Sequence, residues 1–174
     1  MNTLKNSTKT IAINKFSRSA RSFLKYEPIF LTYLIPDRKM NELSETFKKP
    51  ERLSSKKAIS SLFENGKSFY CHPFRIIWSF SETKLPYPAQ VAISVSKKSF
   101  KSAVTRNIIK RRIREAYRKQ KHLLYDYLKS ANASIIFIII YKDKQIAEYP
   151  VIYEAINRMI KILITSAGNQ LRKC

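Results

Sequence analysis

Glycine is almost missing from this chain: Gly66 and Gly168 stand alone and far apart. A phosphate-cradling loop or a dinucleotide-binding turn needs clustered glycines, so neither can be written from this sequence. Cysteine and histidine are equally scarce. Cys71, Cys174, His72 and His122 fall short of the paired spacings that build a structural zinc site, and no disulfide framework is implied. A reducing compartment, the cytoplasm, is therefore expected. Long apolar runs are lacking too: residues 29–35 and 135–141 are far shorter than the roughly 20 residues that span a bilayer, so no membrane partner is expected. Acidic residues are the fourth shortage. Twelve Asp and Glu face 34 Lys and Arg, giving a net charge of +22 and a pI near 10.2, which points to a polyanionic partner.

What is present is enough to fold. The 174 residues are 44% hydrophobic and 12% aromatic, sufficient for one compact domain with a tail. Residues 1–26 carry Lys5, Lys9, Lys15, Arg18, Arg21 and Lys25 and no acid. That is the composition of a transit peptide or a basic arm, and translation starting at Met40 is the plainer alternative. The expected organisation is a basic extension over 1–47, one domain over 48–167 and a tail over 168–174. Within the domain, Ser54 or Ser55 can cap a helix whose face carries Ile59, Leu62 and Phe63 and which stops at Asn65-Gly66. Phe74, Ile76, Trp78 and Phe80 alternate with Arg75, Ile77 and Ser79, predicting a strand over 73–81 with one aromatic face. Val91, Ile93 and Val95 predict another over 89–96, with a hairpin as the simplest pairing. The β-branched run 135–141 reads as a central strand buried on both sides. Ile152, Ala155, Ile156, Met159, Ile160 and Leu163 follow Tyr149-Pro150 at helical spacing and predict a closing helix that ends near Gly168. This order gives an α+β sandwich with helices on one face of a small sheet.

The densest chemistry lies between residues 97 and 121, where eleven Lys or Arg face the single acid Glu115. Wound as a helix, Asn107, Lys110, Arg111, Arg114 and Arg118 share an arc of about 100°, and Ile109, Ile113, Ala116 and Tyr117 share the next one. Like charges four residues apart cost a few tenths of a kcal/mol each. A merely solvated face would intersperse acids, so the one-sided arc fits nucleic-acid phosphates. Asn107, inside the arc, suits a base edge or a ribose hydroxyl, or simply faces water.

Val95-Ser96-Lys97-Lys98, followed by Ala103-Val104-Thr105-Arg106-Asn107-Ile108-Ile109-Lys110-Arg111-Arg112-Ile113-Arg114-Glu115, resembles the signature of the bacterial ribonuclease P protein component. Its usual form is a strand ending Ser-Lys-Lys, a short link, Ala-Val, then Arg-Asn-Arg with Lys-Arg and Arg on the next turns. Arg52-Leu53 and Phe63-Glu64-Asn65-Gly66-Lys67-Ser68 resemble the family's first helix and turn, so the likeness covers residues 48–166. Ile108 departs from it at the third position of Arg-Asn-Arg, and the link over 99–102 is slightly longer than usual.

The resemblance implies a mixed sheet of the kind found in ribosomal protein S5 domain 2, with a left-handed crossover through the basic helix. It implies the RNA-binding protein subunit of ribonuclease P, partnering the RNA subunit and precursor tRNA in removing the 5′ leader and needing no obligate protein partner. Catalytic groups and Mg²⁺ would belong to the RNA-containing holoenzyme. The protein would carry no catalytic residue, metal ligand or cofactor of its own, in keeping with a sequence in which no carboxylate cluster or His pair is written. Lys97, Lys98, Arg106, Asn107, Lys110, Arg111, Arg114 and Arg118 would hold the RNA subunit. Ile59, Phe63, Phe74 and Trp78 would line a cleft for the single-stranded leader, although each ring equally suits a core position. A ribosomal or RNA-assembly protein with no part in catalysis would use such a helix as well. A DNA-binding regulator lacks the helix-turn-helix spacing.

Overall fold

The computed structural model describes residues 46–83 and 85–172; the basic stretch over 1–26, Met40 and Cys174 lie outside them. The elements run in the order 3₁₀ turn (Lys49–Glu51), α1 (Lys56–Asn65), β1 (Lys67–Cys71), β2 (Phe74–Phe80), β3 (Ala89–Val95), α2 (Ala103–Ser130), β4 (Ile135–Tyr141) and α3 (Tyr149–Leu171).

The four strands make one sheet ordered β1-β2-β4-β3. β1 and β4 pair antiparallel with β2, while β3 pairs parallel with β4, Val91 opposite Phe137 and Val95 opposite Tyr141. The hairpin expected between the second and third strands does not form. β4 lies between them, and its Ile-rich run, buried on both sides, takes the central place that such a run requires. β1 has no counterpart in the sequence reading. It is an edge strand with only Phe69 and Cys71 turned inward, so its sequence carries no sustained alternation.

Two hydrophobic clusters lie on opposite faces of this sheet. Phe74, Ile76 and Trp78 of β2, Val91 and Val95 of β3 and Ile135, Phe137, Ile139 and Tyr141 of β4 point to one side. There they meet Ile109, Ile113, Tyr117, Leu124 and Leu128 of α2 and Ile152, Ile156, Met159, Ile160 and Leu163 of α3. The alternate residues, Ile77 and Ile138, point the other way and bury Leu53 and Leu62 of the α1 region. The helices are therefore not all on one face: α2 and α3 cover one, and α1 covers part of the other. The pleat explains this, because neighbouring residues of a strand serve opposite sides.

Local chemistry sets the helix ends. Ser55 and Ser102 cap α1 and α2, their hydroxyls accepting from the amides of Ala58 and Thr105. α2 ends at Ser130, and two residues on Asn132 adopts φ 47°, a left-handed value that asparagine tolerates better than most residues; the amide of Ala133 then closes back on the carbonyl of Leu128. Pro150 occupies the first turn of α3, where its missing N–H costs nothing. That helix continues through Gly168 to Leu171, so residues 168–171 are not the tail expected of them. Gly168 leaves room for a neighbour, since a Cβ there would lie 2.8 Å from the Tyr127 hydroxyl.

The domain also begins earlier than expected. Phe47 packs edge-on against Tyr117 at 6.0 Å, and the carbonyl of Thr46 accepts from Lys121 Nζ at 2.6 Å. The same Nζ lies 2.5 Å from Glu51 Oε2, with both side chains almost fully buried. The Glu51 carboxylate also accepts from the Tyr125 hydroxyl at 2.9 Å and the Lys48 amide at 3.1 Å. This buried, hydrogen-bonded cluster ties the 3₁₀ turn to the middle of α2.

Candidate nucleic-acid interface

The apolar stripe of α2 rotates the helix so that Ile109, Ile113, Ala116 and Tyr117 are fully buried. The cation arc is thereby carried to the surface. Asn107 and Arg111 are exposed, Lys110 and Arg114 half-buried, and none of the four side chains has a hydrogen bond or ion pair among the described residues. Lys97 and Lys98 are exposed in the turn that leads into the helix. That turn is held by the amide of Phe100 on the carbonyl of Ser96 and the amide of Lys98 on the Ser96 hydroxyl. Phe100 plugs the longer link, its ring 6.0 Å from that of Tyr141.

Three arginines of α2 are spent inside the protein, which charge patterning alone does not reveal. Arg106 Nη1 donates to the carbonyls of Phe100 and Lys101 at 2.8 and 2.7 Å, so its charge fastens the link that presents Lys97 and Lys98. Arg112 Nη1 donates to the carbonyl of Ala147 at 2.7 Å, pinning the loop that joins β4 to α3. Arg118 forks onto Glu115, Nε at 2.9 Å and Nη2 at 2.7 Å, and this hydrogen bonding holds the Glu115 carboxyl below the usual carboxylate range. Arg118 thus stays in the arc with its charge offset. The exposed cation of the arc is Arg111, flanked by Lys110 and Arg114. Arg111, Arg112, Arg114 and Arg118 line a shallow concavity of about 450 Å³, closed by Phe47, Glu115 and Tyr149.

The four residues expected to line an aromatic cleft are not brought together. Ile59 and Phe63, one helical turn apart on α1, lie on the α1 side of the sheet, Ile59 half-buried and Phe63 55% exposed. Phe74 and Trp78 belong to the opposite cluster, 0% and 2% exposed beneath α2 and α3. Strand parity corrects that expectation: on β2 the residue turned toward α1 is Ile77, not its neighbour Trp78. The α1-side surface continues over half-buried Ala92, Ile136 and Ile140 and exposed Arg75 and Ser94. Sequence reasoning missed these because residues 135–141 are apolar on both faces and do not announce which side stays open.

Among the described residues no three His, Cys, Asp or Glu side chains gather as a metal site, and no helix is long and apolar enough to cross a membrane.

Three comparisons with known proteins bear on this surface. The family model described as Ribonuclease P matches residues 47–164. A Porphyromonas gingivalis protein named ribonuclease P protein component is 38% identical over 124 residues, spanning 70% of this chain and 86% of that one. A Chlorobium phaeobacteroides protein of the same name is 39% identical over 83 residues, spanning 46% of this chain and 57% of that one. Among solved structures, the Staphylococcus aureus RNase P protein superposes with a TM-score of 0.54 at 23% identity, covering 65% of this chain and 94% of that one. The Thermotoga maritima RNase P protein gives 0.52 at 21% identity, covering 63% and 94%. Both structures share the fold described above.

Proposed function

The chain belongs to the ribonuclease P protein family, and from that premise we propose that it is the RNA-binding subunit that assists a catalytic RNA in removing the 5′ leader from precursor tRNA. The observation that carries the reading is the coincidence of the family match with an unpaired cation arc, Lys110, Arg111 and Arg114 with Asn107, at the surface of α2. Counterion release at RNA phosphates gives such an arc affinity with little demand on sequence. Lys97 and Lys98 extend it onto the preceding turn, which Arg106 fastens through the carbonyls of Phe100 and Lys101. The α1-side surface, with Phe63 and Ile59 beside Ile136 and Ile140, offers the single-stranded leader a sequence-tolerant apolar platform. Hydrolysis falls to the RNA subunit and its Mg²⁺. In this reading the protein's part is to bind, orient and neutralise charge.

The test is cleavage of precursor tRNA by ribonuclease P RNA from the same source at low Mg²⁺, with and without the full-length chain. Correct mature 5′ ends that appear only with protein support the reading. An RNA that is active at high Mg²⁺ yet receives no help from the protein overturns it.

A further inference from the structure

Beside the cation arc the outer surface of α2 turns abruptly apolar. Val104 is 69% exposed and Ile108 41% exposed. They stand four residues apart and so form one patch on the helix. On the helical projection they lie about 20° and 60° beyond Arg111, continuing the arc without a gap. Ile108 is three and four residues before Arg111 and Arg112, so their long stems flank it on the C-terminal side. The charge around the patch is almost all of one sign: the one acid on this stripe, Glu115, seven residues beyond Ile108, is paired with Arg118 and Lys119. Lys97, Lys98, Lys101, Arg106, Lys110, Arg111 and Arg112 surround it in sequence, and no Asp or Glu occurs from residue 83 to 114.

An exposed apolar pair costs little and is often meaningless when isolated. This one borders the surface proposed above to meet RNA, where a cation would add affinity and an isoleucine forgoes it. A protein partner for a patch so rimmed would have to be strongly acidic. RNA brings the anionic backbone the rim demands and, in loops and bulges, unstacked bases with apolar faces. We propose that Val104 and Ile108 form a seat for one unstacked nucleobase of the RNA subunit, its face laid on the two side chains while Arg111 takes the adjoining phosphate. The inference rests on the proposed function and adds to it a contact that salt does not weaken.

Binding of the full-length chain to the RNA subunit, titrated over a series of KCl concentrations, tests it. Ile108→Ser should weaken binding about fivefold at every salt concentration with the slope of log affinity against log salt unchanged, the loss of a modest stacking contact. Ile108→Met, which keeps an apolar surface, should bind as the parent does. Ile108→Arg should steepen the slope by about 0.7 to 0.9, the signature of one added phosphate contact. Ile108→Ser binding as tightly as the parent, or losing affinity together with slope, would overturn the proposal; so would equal losses in the Ser and Met variants. A Lys110→Ala/Arg114→Ala chain in the same titration separates the two readings. If it too binds like the parent, the RNA-subunit role itself fails, whereas if it alone weakens, only the base seat does.

Discussion

Lys110 and Arg114 are neighbours four residues apart on α2, half-buried and without an internal acceptor among the described residues. If each meets one RNA phosphate, each contributes about 0.9 to the slope of log affinity against log salt. Lys110→Ala with Arg114→Ala should then flatten the slope by about 1.8, and counterion release alone makes the variant about 60-fold weaker at 0.1 M monovalent salt but only about fivefold weaker at 0.4 M. That narrowing gap is the diagnostic quantity, read by filter binding to the RNA subunit at four or more salt concentrations. Arg112→Ala is the internal control. Its guanidinium already serves the Ala147 carbonyl, so its removal should lower the melting temperature while leaving the slope within about 0.3 of the parent's. A double variant whose deficit stays constant across salt, or an Arg112→Ala chain that flattens the slope as much, would refute the division between free and spent cations.

Glu51→Gln leaves the Lys121 ammonium buried without its counter-charge, a loss of about 3 to 5 kcal/mol; at this size that lowers the melting temperature by about 10 to 20 °C, as scanning calorimetry would record. Trp78→Ala opens a cavity in the main core and should cost about 3 to 5 kcal/mol of stability. Phe63→Ala should leave the melting curve nearly unchanged and weaken precursor binding to the preformed complex about five- to tenfold, the two effects being separated by melting the protein and titrating precursor in parallel. Burial pushes the Tyr117 and Tyr125 hydroxyls far above the usual tyrosine range. The unfolded chain ionises them near pH 10, so the stability they contribute is whole below about pH 10 and falls above it by about 1.4 kcal/mol per pH unit for each group. Tyr125→Phe should make that alkaline decline shallower in urea titrations between pH 9 and 11.5.

The parts legible in the sequence were those written in a single period. α2 announced itself because Ile109, Ile113 and Tyr117 recur at helical spacing beside a run of cations, and β2 because Phe74, Ile76 and Trp78 alternate cleanly. Which side of the sheet each residue served was not legible. Alternation says that Trp78 and Ile77 face opposite ways, but only the packing of Leu53 and Leu62 on Ile77 decides which of the two lies toward α1. The same gap hid the strand order, since pairing between β3 and β4 depends on where a 28-residue helix returns the chain. The arginine side chains were beyond reach for a related reason. Arg106 and Lys110 read alike as positive charges, and a difference in role appears only when the carbonyls of Phe100 and Lys101 turn toward one of them.

The central place of β4 carries a consequence for the life of the chain. β2 and β3 are neighbours in sequence, yet neither has its sheet partner on that side until residues 135–141 have been made and inserted between them. A nascent chain that has finished α2 therefore holds a basic helix whose apolar stripe has no complete sheet to rest on. Such pairing across a long connection is slow to nucleate. The helix proposed to grip RNA becomes a rigid surface only when the last strand arrives, so competence to bind its partner would be tied to completion of the fold, and a product truncated before Tyr141 should be a substrate for proteolysis before it can act as a competitor for the RNA.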